Sequence, residues 1–257
     1  MSRIICIANQ KGGVGKTTTS VNLAASLAAA EKRVLLVDID PQGNATSGVG
    51  IEKGGLSGSV YDLMINDEAA ADVTLDTELK SLRIIPATPD LAGAELELVE
   101  LTERESKLKK ILRPLKDQYD FIIIDCPPSL GLLTINAMTA ADSVLVPLQT
   151  EFYAMEGLSQ IVRTIALVQK GLNPALQIEG ILLTMFDGRN NLSRQVGEEV
   201  RAHFGDKVFK TVIPRNVRLS EAPSHGKPII LYDITSRGAA AYLELAKELL
   251  QRGGGND

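Results

Sequence analysis

Apolar runs alternate with amphipathic stretches along the whole chain. Seven runs rich in Ile, Val and Leu are predicted to be strands, at residues 4–8, 34–38, 82–86, 121–125, 143–147, 178–184 and 208–213. They are almost continuously apolar, which is typical of strands covered by helices on both faces. Helices are predicted between and after them, at residues 17–30, 91–115, 130–140, 156–170, 192–204 and 238–251. This alternation predicts an α/β fold with a doubly wound, mostly parallel sheet.

The organisation of the chain predicts where a ligand would bind. Right-handed crossovers bring the carboxyl ends of parallel strands to one edge of the sheet, and ligands bind there. No linker, repeat or low-complexity segment interrupts the chain, so residues 1–252 are expected to form one domain. The last residues, 253–257, read GGGND and are expected to be a flexible tail.

A glycine-rich segment joins the first predicted strand to the first predicted helix and reads NQKGGVGKTTTS, residues 9–20. Glycines allow backbone N–H groups to turn inward toward a polyphosphate, and the helix N-terminus adds a partial positive charge. Lys16 would add a full charge and Thr17 a hydroxyl ligand for Mg²⁺. The predicted nucleotide-binding residues of this segment are Gly12, Gly13, Val14, Gly15, Lys16, Thr17 and Thr18.

The loop departs from the common pattern G-x-x-x-x-G-K-[ST], because Gln10 stands where that pattern has its first glycine. Further stretches read RVLLVDIDPQGNATSG, YDFIIIDCPPSLGLLTINAMTAAD and PRNVRLSEAPSHGKPIILYD. With these, the chain resembles the ParA/MinD group of ATPases with a deviant Walker A loop, in particular its chromosomal ParA (Soj) branch. The resemblance spans residues 3 to about 250. It implies a P-loop ATPase that serves partition of a chromosome or plasmid.

The second lysine of the loop, Lys11, acquires a role through this resemblance. In the family, a signature lysine reaches across a homodimer interface to the phosphates bound by the opposite subunit. Such a role is physically coherent, since a cation supplied in trans lowers the repulsion between two nucleotides held between two subunits. From the residues alone, a solvated lysine on a surface turn is an equally good interpretation.

Three carboxylates follow predicted strands at the ligand edge. Asp125 ends the apolar run FIIID and is the expected Mg²⁺-side carboxylate, directly or through water. Asp38 and Asp40, in VDIDPQG, should share one face because side chains alternate along a strand. Both could simply cap the loop. The resemblance implies that Asp40 positions the attacking water, beside Lys11 and Lys16 as catalytic residues, and that Asp38 lies nearer the Mg²⁺ and the loop framework.

Base recognition is predicted from the resemblance. The family packs a loop containing Pro-Arg-Asn against adenine, which here assigns Pro214 and Asn216 to the base. Asn216 has the donor and acceptor that an adenine edge requires. The guanine-reading pattern Asn-Lys-x-Asp does not occur in the sequence. The expected substrate is therefore ATP, with Mg²⁺ as cofactor.

Charge is unevenly distributed around a net value of −5. Residues 187–227 hold eight Lys/Arg against five Asp/Glu, whereas residues 90–105 hold six carboxylates and one Arg. A modest basic excess is usually a solvated face. The resemblance implies more: non-specific DNA binding by the ATP-bound dimer, with Arg189 and Arg218 at the DNA. It also implies hydrolysis stimulated by a basic peptide of a ParB-type partner, for which 90–105 is one candidate surface.

Three other functions compete with this interpretation. A MinD-like membrane-associated positioning ATPase, the main alternative, needs a basic amphipathic helix at its C-terminus, but the charges beside the apolar stripe at 242–250 are mixed. An iron–sulfur reductase needs two cysteines at a shared cluster, but Cys6 and Cys126 are expected to be buried in core strands. A biosynthetic ligase on the same fold is not favoured, because the sequence contains no added substrate-binding insertion. With no signal peptide or apolar run of about 20 residues, a cytoplasmic, nucleoid-associated protein that does not bind membranes is expected.

Overall fold

The structure is a computed structural model that describes residues 2–253. One seven-stranded sheet runs through it in the order β3-β4-β2-β5-β1-β6-β7. The strands are β1 (Arg3–Ile7), β2 (Val34–Asp38), β3 (Leu75–Asp76), β4 (Leu82–Ile85), β5 (Phe121–Asp125), β6 (Ser143–Gln149) and β7 (Gln177–Thr184). All neighbours pair in parallel except β3, which is antiparallel to β4. The predicted doubly wound α/β fold is confirmed.

Both faces of the sheet are covered. Ile4 and Cys6 of β1 enter one apolar core, and the alternate residues Ile5 and Ile7 enter a second core. This double burial explains why the strands lack polar alternation. Over residues 2–253 the α-helices are α1 (Lys16–Ala29), α2 (Asn44–Gly48), α3 (Val60–Ile65), α4 (Ala70–Val73), α5 (Leu91–Val99), α6 (Lys107–Leu112), α7 (Leu132–Ala140), α8 (Ala154–Gly171), α9 (Asn191–Phe204), α10 (Val217–Glu221), α11 (Ile229–Tyr232) and α12 (Arg237–Gly253).

The predicted strand at residues 208–213 is wrong. Isolated bridges at Val208 and Pro214, and backbone hydrogen bonds from the N–H groups of Phe209 and Ile213, connect this region to β7 and the residues after it without forming a strand. The backbone N–H groups of Lys210 and Thr211 donate to the carboxylate of Glu248 on α12, both at 2.9 Å. Because a side chain takes these donors, they are not available to a strand ladder. The segment is therefore apolar and buried in part without being a strand.

The prediction of one long helix at residues 91–115 is also wrong, because this segment is not a continuous helix. It is divided into α5, a short 3₁₀ turn, α6 and a second 3₁₀ turn that contains Pro114. Glu103 has a left-handed backbone, with φ 53°, which no α-helix can contain. The break leaves α5 as a separate short helix that carries two of the six carboxylates of the acidic segment, Glu95 and Glu97.

Helix α12 packs its apolar side against the body of the protein. Tyr242, Leu245 and Leu249 are buried, and the Tyr242 hydroxyl lies 3.2 Å from the Thr19 hydroxyl of α1. The apolar stripe at 242–250 therefore faces the interior of the protein and not solvent. None of the helices described within residues 2–253 is long and apolar enough to cross a membrane. The domain boundary at residue 252 stays a prediction: α12 includes Gly253, and residues 254–257 of the predicted tail lie outside the described residues.

Candidate active site

The carboxyl ends of β1, β2 and β5 form the floor of the site. Asp125 at the end of β5 is in register with Ile7 of β1 on one side and with Asp38 of β2 on the other. The glycine-rich loop follows β1, and the turn that contains Asp40 follows β2. The three segments that sequence motifs singled out are therefore adjacent, because their strands are neighbours in the sheet.

The glycine-rich loop enters α1 through left-handed backbone positions. Gly13 and Gly15 have φ of 74° and 87°, and Gly15 is the N-cap of α1. Such angles are ordinary for glycine and unfavourable for other residues. Asn9 fixes the start of the loop, since its Nδ2 donates to the Pro147 carbonyl at 2.8 Å and its Oδ1 accepts from the Lys11 N–H at 3.0 Å. The loop thus has the conformation of a phosphate cradle at a helix N-terminus.

Lys16 lies inside this loop. Its side chain reaches back across the loop, and its Nζ donates to the Lys11 carbonyl at 3.1 Å. Burial lowers the pKa of Lys16, while the negative charge of nearby Asp125 opposes the change. A largely buried ammonium group with one carbonyl partner is a strong attractor for the anionic oxygens of a phosphate.

Asp125 is fully buried, and only one of its oxygens is satisfied. Its Oδ1 accepts from the Ser20 hydroxyl at 2.7 Å, whereas its Oδ2 has no hydrogen-bond partner. Burial, and then the negative charge of Asp38, raise the pKa of Asp125 to about 8. A buried carboxylate oxygen without a partner is costly in an otherwise satisfied interior. Asp125 therefore needs a proton or a cation.

Asp38 and Asp40 differ in their surroundings. Both oxygens of Asp38 accept hydrogen bonds: Oδ2 from the Thr46 N–H and hydroxyl, each at 2.8 Å, and Oδ1 from the Asp40 N–H at 3.1 Å. The Thr46 hydroxyl also accepts from the Ala87 N–H at 3.0 Å. Burial raises the pKa of Asp38 to about 6. These contacts favour the framework role of Asp38 over metal ligation.

Asp40 begins a tight turn that ends at the N-cap of α2. Its Oδ1 accepts from the Gln42 N–H at 3.0 Å, and its carbonyl accepts from the Gly43 N–H at 2.8 Å. Gly43 has φ 58°, and a Cβ there would lie 3.0 Å from the Ala87 carbonyl oxygen, so a larger residue would displace the turn. The turn holds the Asp40 carboxylate near Lys16, where its negative charge acts to raise the pKa of that lysine against burial. Such a group can orient a water molecule.

Lys11 differs from Lys16 in exposure and partner. Its side chain retains 41% of its accessible surface, and its Nζ pairs with Glu151 Oε2 at 2.7 Å. Glu151 lies just before α8 and also accepts from the Gln149 side-chain amide. The structure thus places the ammonium group of Lys11 at the protein surface, outside the cradle that Lys16 occupies.

A cavity of about 360 Å³ opens next to the cradle. Pro214 and Asn216 both line it, as do Gly15 and Thr18 from the loop and the first turn of α1. Asn216 is the N-cap of α10, with its Oδ1 accepting from the Leu219 N–H at 3.3 Å. The cavity size suits a nucleoside, and the sequence-predicted base contacts lie in its wall.

Comparisons with known proteins agree with this geometry. A family model described as an AAA domain matches residues 2–178. The chain is 65% identical to the sporulation initiation inhibitor protein Soj of Bacillus subtilis, covering 98% of this chain and 100% of that protein. It is 62% identical to the chromosome partitioning protein ParA of Myxococcus xanthus, covering 98% and 89%.

These relatives decide the family. The chain belongs to the ParA/Soj family of chromosome-partitioning ATPases. A solved structure of cobyrinic acid a,c-diamide synthase from Mycobacterium smegmatis, with bound ADP and magnesium, is 40% identical and superimposes with a TM-score of 0.87 over 100% of this chain and 97% of that one. The ParA/Soj-family chain described here is an ATPase.

A divalent cation fits this ParA/Soj-family site. The unpaired Oδ2 of Asp125 is a buried anionic oxygen, which is the ligand type that Mg²⁺ prefers. The Thr17 hydroxyl lies close enough to Asp125 to lower its pKa, in opposition to burial. No cluster of three or more His, Cys, Asp or Glu side chains within residues 2–253 is arranged to hold a metal.

Sequence reasoning missed most of the other residues that line this cavity, among them Thr184, Met185 and Tyr242. Thr184 ends β7, and its hydroxyl donates to the Val14 carbonyl at 2.8 Å, which ties this strand to the cradle. The available signal was the position of Thr184 at the carboxyl end of a predicted strand. Tyr242 carries no such signal, because its place follows from the packing of α12 on α1.

Arg189 and Arg218 do not line the nucleotide cavity. Arg189 makes two contacts of 3.1 Å with Asp187, and its side chain is almost fully exposed. Arg218 pairs with Glu221 at 2.9 Å and with Asp233 at 3.5 Å. Both guanidinium groups are therefore on the surface and paired within the chain.

Proposed function

We propose that this ATPase segregates DNA through a nucleotide-gated dimer. ATP binding closes a sandwich dimer, the dimer binds DNA without sequence preference, and hydrolysis stimulated by a ParB-type partner releases the DNA. The observation that carries the proposal is the position of Lys11. Its ammonium group lies at the surface and pairs with Glu151, so it does not take part in the phosphate cradle of its own subunit. The names of the relatives, ParA and Soj, support the partition role.

Within one subunit, the residues divide the chemistry of ATP hydrolysis. Lys16 and the N–H groups of the loop hold the outer phosphates, and Thr17 and Asp125 hold Mg²⁺. The bound cation neutralises developing charge on the phosphates. Asp40 orients the attacking water, because its carboxylate is fixed by the turn through Gln42 at the mouth of the cradle. Pro214 and Asn216 contact adenine.

The Lys11–Glu151 ion pair is weak enough for Lys11 to change partners when a dimer forms. Both side chains are more than 40% exposed, and such an ion pair contributes at most about 1 kcal/mol. Lys11 can therefore exchange Glu151 for the phosphates of a nucleotide held by a second subunit. Two nucleotides at one interface concentrate negative charge, so the exchange is favourable only when ATP is present on the facing subunit.

DNA binding is assigned to the basic segment at 187–227, through Arg189 and Arg218. Their exposed pairs with Asp187 and Glu221 are weak, so DNA phosphates can compete for both guanidinium groups. Dimerisation doubles the number of contacts and makes them act together. Each phosphate contact should steepen the dependence of affinity on salt by about one unit of the log–log slope.

The partner is assigned to the outer face of α5. Leu96 and Val99 on this helix are 78% and 56% exposed, an unusual state for large apolar side chains. The segment around them, 90–105, holds six carboxylates and one Arg. An exposed apolar pair among carboxylates is complementary to a basic peptide with apolar residues, which is the chemistry proposed for the ParB-type partner.

An ATP-dependent binding assay tests the proposal against the membrane alternative. The protein is incubated with ATP and Mg²⁺, and its binding to random-sequence DNA and to anionic liposomes is measured over a salt series. We expect DNA binding with ATP only, and weaker binding with a lower slope for the double variant Arg189→Ala, Arg218→Ala. Arg163→Ala, on α8 and outside the basic segment, is the control. Liposome binding without DNA binding would replace this proposal with the MinD-like function.

A further inference from the structure

The wall of the nucleotide cavity contains a backbone conformation that its residue type disfavours. Met185, directly after β7, has φ 49°. Within residues 2–253 the other non-glycine residues with positive φ are Glu31, Asp67 and Glu103, all of them exposed acidic residues in turns or loops. Met185 is instead an apolar residue in the cavity wall. Positions of this kind concentrate at ligand sites.

A one-residue insertion in the pairing of β7 explains this conformation. The Ile213 N–H donates to the Leu183 carbonyl at 2.9 Å, and the Ile213 carbonyl accepts from the Phe186 N–H at 3.0 Å. In a regular parallel ladder these two partners are two residues apart on the neighbouring strand, and here they are three apart. Met185 lies within the extra length, which has the character of a β-bulge. Bulges next to active sites redirect a side chain.

Met185 lies in the wall of the cavity that also contains the predicted base contacts, Pro214 and Asn216. Met185 lines the same cavity as Pro214, whose own backbone forms a bridge with Phe186. The preceding residue, Thr184, is bonded to the Val14 carbonyl of the cradle. This hydrogen bond ties the bulge to the glycine-rich loop. Glycine would adopt this φ without strain. The presence of methionine at this position therefore indicates a role for its side chain.

We propose that Met185 is a base-contacting residue that favours purine nucleotides. This inference rests on the proposed function only in taking the cavity as the site of the base. The thioether is flexible and polarisable, and it packs well against aromatic rings. The thioether contacts the face of the ring and not its hydrogen-bonding edge. A purine has the larger ring face, so it gains more binding free energy from this contact than a pyrimidine does. Asn216 is still the residue assigned to the hydrogen-bonding edge of the base.

Two ligands separate a base contact from an effect on the phosphates. Equilibrium binding of ATP and of inorganic tripolyphosphate, both with Mg²⁺, is compared for the parent protein and for Met185→Ala, Met185→Leu and Met185→Gly. Met185→Ala should weaken ATP binding roughly tenfold and leave tripolyphosphate binding unchanged. Met185→Leu should retain most of the ATP affinity. Met155→Ala, on α8 outside the cavity, is the control and should bind both ligands as the parent does.

Met185→Gly guards against a purely structural explanation. It removes the strain and the side chain together, so its thermal stability should equal or exceed that of Met185→Ala while ATP binding stays weak. Parent-like ATP affinity in both variants would overturn the proposal. Equal losses for ATP and tripolyphosphate would also overturn it, since Met185 would then act through the cradle. If the parent bound both ligands equally, the assignment of the cavity to the base would fail instead.

Discussion

Replacing Asp125 with Asn tests whether the buried carboxyl group is suited to a cation. Burial, and then the charge of Asp38, raise the pKa of Asp125 to about 8 from an ordinary value of 3.8. The folded state therefore favours the protonated acid. The associated stability is present in full below about pH 4, and it is lost as the pH rises to the folded pKa near 8.

The size of this effect follows from the pKa. A tenfold change in an acid constant corresponds to about 1.4 kcal/mol, so ionising Asp125 in the folded protein without a cation costs on the order of 5 kcal/mol. Asn cannot ionise. The free energy of unfolding of Asp125→Asn should therefore exceed that of the parent by an amount that grows from about 1–2 kcal/mol at pH 5 to about 5 kcal/mol at pH 8.5.

Urea unfolding at pH 5, 7 and 8.5, with EDTA and no nucleotide, measures this difference. Asp117→Asn, at an exposed turn position before β5, is the control and should follow the parent at every pH. Mg²⁺ with ADP should raise the stability of the parent most at high pH. A difference between Asp125→Asn and the parent that did not change with pH would refute the reasoning.

Four further substitutions have separable outcomes. Lys16→Ala should weaken ATP binding at least about a hundredfold in equilibrium dialysis, because a largely buried charged contact is worth about 3 kcal/mol; Thr17→Ala should also prevent nucleotide binding, through the lost Mg²⁺ ligand. Asp40→Ala should bind ATP and dimerise but stall, so a parent-like rate of phosphate release would move the catalytic role, with Asp38 next to test. Glu151→Gln should strengthen ATP-dependent dimerisation by no more than about thirtyfold, because each dimer releases two exposed ion pairs of at most about 1 kcal/mol, and weaker dimerisation in sedimentation would show that Glu151 serves the interface instead.

The sequence predicted those parts of the fold whose burial is uniform. Strands such as β5 are apolar at almost every position because helices cover both faces, and that pattern is visible without a structure. The false strand at 208–213 has the same apolar character, but the Glu248 carboxylate takes its backbone donors. That contact joins residues 37 or more positions apart, so no local pattern reports it.

In the site, too, local sequence patterns predicted some features, and contacts between distant segments determined others. Motifs predicted Lys16 and Asp125, because phosphate and cation chemistry requires those residue types in a loop after a strand and at a strand end, and the family resemblance predicted the role of Asp40. They could not show that both oxygens of Asp38 are already bonded, or that Met185 occupies a bulge in the cavity wall. Both facts depend on how distant segments pair across the sheet.

Sedimentation equilibrium with hydrolysis blocked tests the central claim, that Lys11 acts on the nucleotide of a second subunit. In an Asp40→Ala background, the protein with and without Lys11→Ala is examined with saturating ATP and Mg²⁺, and nucleotide occupancy is measured in the same samples. We predict that Asp40→Ala is a dimer, and that Lys11→Ala, Asp40→Ala is a monomer with ATP still bound. A dimer of the double variant equal to that of Asp40→Ala would contradict the account.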